Sequence, residues 1–341
     1  MIKHLSFILT IFIFISTISL VSCDKTTGLM FEINEDGQSY TLRSGLSCID
    51  KHVVIPESYE GLPVTHIAAE AFLASETMES ISIPSTVVSI GEGAFRGTKL
   101  LKEITIPDSV TNIGDGAFRS CDSLETVIIG NSVTNISNSM FLQCFNLKNV
   151  ILPKTITTIG YQTFAYCESL VNIELPEALT DIGEAAFEHC KSLKSIIIPD
   201  SVVNAEKNAF NGCLSLKNVQ ISNSLSFISE GMFEGCAFDS IVIPNSVKII
   251  GKDAFYACTL LKSVTIPDSV TQIGEFAFVS CESLQSIVIP ASVEIMERCI
   301  FKHTTEPLTI IYCEAESQPS TWDDGWNPAE FEVIWGYIAE Q

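Results

Sequence analysis

The chain has 341 residues, enough for two ordinary domains, with 19 basic against 41 acidic side chains and a formal charge of −22. That balance argues against nucleic acid or an anionic bilayer surface as the main partner, because both demand a positive footprint. Solubility is the plain reading of the charge, and the chain is expected to be a monomer.

Residues 1–22 differ in kind from the rest. Lys3 gives a positive start, Leu5 to Leu20 is almost wholly apolar, and Leu20-Val21-Ser22 leads into Cys23. This is the pattern of a secretory signal peptide. The small residue directly before a cysteine resembles the bacterial lipobox, which implies that Cys23 is the lipidated first residue of the mature protein. The resemblance implies an exported protein at the outer membrane or cell surface, touching the membrane only through its N-terminal lipid. As a transmembrane anchor the segment is rather short and lacks a basic stop on its far side.

Residues 23–52 read as a tether and an N-terminal hairpin cap. Asp24 to Thr27 is polar, and Met30 to Leu42 alternates around Asp36-Gly37, a hairpin signal. Such a hairpin would cover the open end of a repeat array, whose apolar cross-section needs hiding.

From residue 53 to 312 the sequence repeats. Phenylalanine recurs at Phe72, Phe95, Phe118, Phe141, Phe164, Phe187, Phe210, Phe233, Phe255, Phe278 and Phe301, at intervals of 23 residues except for 22 between Phe233 and Phe255. A period this strict means a solenoid. Six residues after the phenylalanine stands a leucine, as at Leu101, Leu124 and Leu147, and Phe238 takes that place in the shortened coil. Nine and eleven residues after it come inward pairs such as Ile104 and Ile106 or Val127 and Ile129, which with one outward residue between them make a short strand. Proline usually follows and ends the strand, since it lacks an amide proton. An Ile-Gly pair turns the next corner, its glycine either taking a positive φ or letting adjacent coils approach, and the Ala-Phe beyond it fits one helical turn. The expected fold is therefore an α/β-type solenoid. It is a single leucine-rich-repeat array of about 23-residue coils with a parallel sheet of short strands, short helical or irregular outer segments and a cap at both ends.

The repeated Ile-Pro-x-Ser-Val-x-x-Ile-Gly-x-x-Ala-Phe-x-x-Cys-x-x-Leu of residues 53–312 resembles the BspA-type leucine-rich repeat. Glu60-Gly-Leu-Pro63-Val near the start and the tail around Tyr312, Trp322 and Trp326 also resemble that family's ends. The resemblance implies a surface-exposed bacterial protein of a kind associated with binding host matrix proteins, other cells or glycoproteins.

Eight cysteines, Cys121, Cys144, Cys167, Cys190, Cys213, Cys236, Cys258 and Cys281, stand three residues after the phenylalanine. The favoured reading is a column of free, buried thiols acting as small apolar fillers. Disulfides are the lesser alternative, because side chains in register point side by side rather than toward each other. Metal is the least favoured, for want of clustered ligands. Cys48, Cys299 and Cys313 lie outside the column and stay unassigned. His52, His66, His189 and His303 fall in unrelated phases, and no nucleophile elbow or zinc-protease signature is present. No catalytic residue, cofactor or metal is expected, and the carboxylates read as a solvated face.

The positions where coils differ are those pointing outward from the strands: Thr126 and Ile128, Asn149 and Ile151, Asn172 and Glu174, Ser195 and Ile197, Asn218 and Gln220, Ser240 and Val242. They form a polar and apolar strip suited to a protein or glycoprotein ligand, although β-branched residues also stand in strands simply because they fit there. Residues 313–341 hold Trp322, Trp326 and Trp335, read as a C-terminal aromatic cap with sugar stacking as the lesser alternative. The function expected is macromolecule binding, as in adhesion, without catalysis. The alternative is capture of glycans for nutrient uptake.

Overall fold

A computed structural model describes residues 28–45, 47–301 and 310–338. The signal segment and Cys23 lie outside the described residues. The chain winds into stacked coils, and the period of the sequence becomes the rise from one coil to the next. The eleven periodic phenylalanines are fully buried and form one continuous stack. Their successive ring centroids lie 5.1–6.0 Å apart, with ring planes within 15° of parallel. In the shortened coil Phe238 is fully buried and meets Phe233 and Phe255 edge-on, at 5.9 and 6.2 Å. It fills the leucine place with a larger ring, which lets a coil one residue shorter still close on the core.

Most of the expected strands form, and those followed by a proline end before it. Glu103–Thr105, Thr126–Ile128 and Asn149–Ile151 pair in parallel register, Ile104 beside Val127 beside Val150. This front ladder is not continuous. Ser195–Ile197 pairs with Asn218–Gln220, and Ser240–Val242 with Ser263–Thr265, as separate two-stranded sheets. Residues 172–174, expected as a strand, form none. They keep the strand's alternation all the same, Ile173 buried and Asn172 and Glu174 exposed, because burying the isoleucine fixes that pattern whether or not ladder bonds form.

A second parallel ladder runs beside the first, where the sequence suggested only a corner. Two-residue strands such as Asn135–Ile136, Thr158–Ile159, Asp181–Ile182 and Asn204–Ala205 pair coil to coil. Phe227–Ile228, Ile249–Ile250, Gln272–Ile273 and Ile295–Met296 do the same further along. The N-terminal hairpin, Met30–Ile33 against Tyr40–Ser44, joins this second ladder, its inner strand pairing in parallel with Leu62–Ile67.

The helical turn expected around each phenylalanine does not form: among the described residues there is no helix, and the solenoid is all-β rather than α/β-type. The segment runs instead as consecutive β-turns, with Ala94 N donating to Gly91 O at 3.3 Å, Arg96 N to Gly93 O at 2.9 Å and Thr98 N to Phe95 O at 3.1 Å. Residues two before and two after the phenylalanine take positive φ, as at Gly93 (55°) and Gly97 (71°) or Ala185 (54°) and His189 (55°). The intervening amides point along the solenoid axis: Gly93, Phe95 and Gly97 donate to Asp115, Ala117 and Arg119 of the next coil at 2.8–2.9 Å. A helix would keep those bonds inside its own segment, and at about 10 Å wide it is twice the coil spacing of about 4.8 Å. Turns that bond across coils fit the spacing.

The corner glycines resolve in favour of close approach. Gly91, Gly114, Gly160, Gly183, Gly251 and Gly274 do not take positive φ. A Cβ on Gly183, Gly251 or Gly274 would stand 2.6–2.8 Å from backbone of the preceding coil, and on Gly114 it would collide with the amide of Glu92. Positive φ belongs to the position two residues further on.

Candidate functional site

Most of each coil is committed to the interior. Val127, Leu124 and Cys121 of one coil, like Ile196, Leu193 and Cys190 of another, are buried. What reaches solvent on the front ladder is the pair of residues flanking the central inward one.

All twelve residues proposed for the front face lie on the surface or partly so. Ile128, Ile151, Ile197 and Val242 are 38%, 53%, 62% and 69% exposed, an outlay of apolar surface that packing within the coil does not call for. Glu174 and Gln220 interrupt this column with exposed polar groups. Beside it runs the polar column Thr126, Asn149, Asn172, Ser195, Asn218 and Ser240. There Asn149 Nδ2 donates to Thr126 Oγ1 at 3.4 Å, and Ser195 Oγ donates to Asn172 Oδ1 at 3.3 Å. Residues twenty-three apart in sequence are thus brought side by side, as the repeat required.

The structure adds a concavity. Where Asn218–Gln220 and Ser240–Val242 fail to pair, the face opens into a shallow depression of about 490 Å³. It is lined by Ser195, Ile196, Ile197, Lys217, Asn218, Val219, Gln220, Asp239, Ser240, Ile241 and Val242. Val219 is an inward residue, yet it is only half-buried there, because the ladder break uncovers it. Six of the twelve residues named from the sequence line this depression, and the other six lie along the strip toward the N-terminus.

Sequence reasoning passed over the charged column at the edge of the same face, seven residues after the phenylalanine: Lys102, Glu125, Lys148, Val171, Lys194 and Lys217, with Asp239 and Lys262 beyond. Opposite charges pair across coils, Lys148 Nζ to Glu125 at 2.9 Å and Lys262 to Asp239 at 3.7 Å. The Lys148 hydrogen bond, with its charge, holds the Glu125 carboxyl below its ordinary range. The signal was in the spacing, and only the hydrogen-bonded edge gave it meaning. Missed as well was the outer side of the second ladder, where Phe227, Ile249 and Ile295 stand exposed in register.

The cysteine column is buried and free, as are Cys48 and Cys313 outside it, while Cys299 is half-buried and free. Each column thiol donates to the carbonyl of the phenylalanine one coil back, at 3.0–3.3 Å. Burial pushes the Cys213 and Cys258 thiols up to about 12, which keeps them protonated and able to donate. Thr98 holds the same place in its coil, and its hydroxyl bonds Phe95 O at 2.7 Å and Phe72 O at 3.4 Å. The column is therefore a row of hydrogen-bond donors as well as filler. Among the described residues no three His, Cys, Asp or Glu side chains come together as a metal site.

At the C-terminal end Trp322 and Trp326 are 4% and 3% exposed, packed on one another at 5.3 Å, with Trp326 edge-on to Phe301 at 6.3 Å. Trp322 Nε1 donates to Val293 O at 3.0 Å. Neither ring offers a face to a sugar. Tyr312 and Tyr337 remain half-buried, 4.5 Å apart.

Comparison with known proteins returns the same architecture. A family profile described as the BspA type leucine rich repeat region (6 copies) matches residues 65–194 and 180–309. A leucine-rich repeat protein from Bacteroides ovatus is 27% identical over 84% of this chain and 98% of its own, with a TM-score of 0.44. A leucine-rich cell surface protein from Faecalibacterium prausnitzii is 26% identical over 76% of this chain and 93% of its own, with a TM-score of 0.37. The pneumococcal vaccine antigen PcpA is 16% identical over 92% of this chain and 98% of its own, with a TM-score of 0.55, a likeness of fold. No curated protein matches the chain.

Proposed function

The chain belongs to the BspA-type leucine-rich repeat family, and on that premise we propose that it is an exported, lipid-anchored surface protein whose front face binds a protein or glycoprotein partner without catalysis. Proteins of this family are typically displayed on bacterial cell surfaces, and its repeat fold usually serves as a binding scaffold. No helix among the described residues is long and apolar enough to cross a membrane. Attachment through a lipid on Cys23 would supply the anchor. Labelling with radioactive palmitate, or the mass of the mature N-terminus, tests it: an unacylated Cys23 removes the anchor.

The observation that carries the binding reading is the apolar column of Ile128, Ile151, Ile197 and Val242, a row of exposed aliphatic side chains along one face of the solenoid. Capture of matrix proteins by the mature ectodomain tests it. The variant carrying Ile151→Asp, Ile197→Asp and Val242→Asp is expected to lose capture while melting as the native protein does. Undiminished capture by that variant overturns the reading.

A second reading, capture of glycans, is favoured by one feature: the Tyr312–Tyr337 pair at 4.5 Å, with Tyr312 in register beside Val288 on the same face. Aromatic faces suit the apolar faces of sugars. Binding on a glycan panel that falls with Tyr337→Ala, and not with the three Asp substitutions, would select this reading over the first.

A further inference from the structure

Lysines in an acidic repeat protein are expected to sit beside carboxylates, and along the edge column of the front face two of them form ion pairs. Lys148 pairs with Glu125 and Lys262 with Asp239. Lys194 and Lys217 break the rule. They occupy the same column position on successive coils, since Ser195 stands in register with Asn218, and both are exposed. Among the described residues neither forms an ion pair. The residue before them in the column is Val171, and Asp239 after them is already engaged by Lys262. Two lysine side chains therefore rise from backbone positions about 4.8 Å apart on successive coils, in a chain of charge −22, and the one carboxylate beside them in the column, Asp239, is paired with Lys262.

This pair stands at the depression of the front face. Lys217 lines it directly, as does Asp239, whose charge is met by Lys262, while Lys194 stands one coil back at its edge; the apolar walls are Ile197 and Val242 with Val219 on the floor. Lysine and outward isoleucine of one coil are three residues apart along an extended chain, about 10 Å. We infer that the depression takes an extended segment of a partner protein that carries acidic side chains at one end and aliphatic ones at the other. The acidic end sits on Lys194 and Lys217, and the aliphatic end on Ile197 and Val242. The inference rests on the protein-binding reading of this face and names the partner's chemistry.

Three observations favour a peptide over an acidic glycan. The walls are branched aliphatic groups, where a sugar ring would want an aromatic platform. The amides of Asn218 and Gln220 on the rim offer both donor and acceptor to a peptide backbone. At the break the strands Asn218–Gln220 and Ser240–Val242 belong to separate sheets, which leaves the shallow concavity that suits an extended chain. The overall negative charge does not override the local pair: at physiological salt the screening length is about 8 Å, so remote carboxylates contribute little at the lysines.

The test uses the mature full-length chain and labelled hexapeptides, acetylated and amidated, of sequence Glu-Glu-Ser-Val-Ile-Val, with Gln-Gln and Lys-Lys versions and an oligogalacturonate as the acidic glycan. Fluorescence anisotropy is expected to show binding of the Glu-Glu peptide at least tenfold tighter than either peptide control. The double variant Lys194→Gln, Lys217→Gln removes that preference, and binding weakens with added salt. Both lysines are exposed, so the variant is expected to fold, and an unchanged melting temperature checks it. Equal binding of the Gln-Gln peptide, an unchanged preference in the double variant, binding of oligogalacturonate alone, or no peptide binding at all each overturns the inference. The two readings separate cleanly. If the lysine variant captures matrix proteins normally while the three Asp substitutions abolish capture, the face binds protein and the lysine subsite falls. If the peptide preference depends on the lysines while capture survives the Asp substitutions, the subsite stands and the broader reading falls.

Discussion

The thiol of Cys167 donates to the carbonyl oxygen of Phe141 one coil back, Sγ to O 3.3 Å. Seven other cysteines repeat the contact, so the column links each coil to its predecessor through the same atom pair. A thiol can donate only while protonated, and burial holds Cys144, Cys167, Cys190, Cys236 and Cys281 above their ordinary value of 9.0, as it does Cys213 and Cys258, both at about 12.

That relationship sets a pH dependence. A group whose pKa is raised by folding contributes stability that is fully present below its unfolded value and is lost as the pH rises toward the folded one. The melting temperature is therefore expected to show no thiol-linked loss below about pH 8 and to fall progressively between about pH 9 and 12. Replacing the column cysteines by threonine, as Thr98 already does in its coil, should flatten the decline. A melting temperature as steep above pH 9 in the threonine variant would place the linkage elsewhere. In the native protein the column should resist thiol reagents, and in denaturant without reductant eight or more thiols should react.

The phenylalanine stack is the mechanical spine. Phe164→Ala removes a ring stacked at 5.5 and 5.2 Å between two others, and should cost about 3–5 kcal/mol in denaturant unfolding. Phe164→Leu keeps most of the volume and should cost clearly less. Equal losses would mean that the cavity is not what determines the cost.

Two neighbouring glycines separate close approach from backbone conformation. Gly114→Ala forces a methyl against the amide of Glu92 and should cost about 1–3 kcal/mol. Gly116 holds a φ of 59° with only the Arg119 side chain in ordinary contact along its Cβ direction, and Ala185 and Ala257 tolerate the same conformation in other coils. Gly116→Ala should therefore cost about 1 kcal/mol, the lesser of the two. The reverse order in urea titrations would remove the close-approach explanation.

At the end of the stack, Trp326 lies edge-on to Phe301 and 6.5 Å from Trp335. If the tail closes the array, Trp326→Ala should cost about 3–5 kcal/mol and should expose the last coils to hydrogen exchange before the central ones. Uniform exchange along the array would mean that the tail does not protect that end.

The coil period, the phenylalanine and leucine columns, the strand ends at proline and the outward direction of Ile128, Ile151, Ile197 and Val242 could all be read from the sequence. Each is a property of side chains repeating in phase: burying one residue of a coil fixes which way its neighbours point. The turns around each phenylalanine could not be read that way. Positive φ falls there on Tyr166, His189 and Gln143 as readily as on glycine, because cross-coil hydrogen bonds impose it over local preference. The second ladder was hidden for the same reason, its strands being two residues long and stabilised wholly by other coils.

The candidate face divides along the same line. Its residues are legible from their phase, but the depression between Asn218–Gln220 and Ser240–Val242, and the unpaired Lys194 and Lys217 beside it, are not. The sequence alone determined which side chains face inward and which outward, since that follows from a period of 23 residues and the cost of exposing apolar groups. Only the tertiary structure decided where backbone groups find their partners and where the front ladder opens, because those partners lie a full coil away and depend on the spacing between coils.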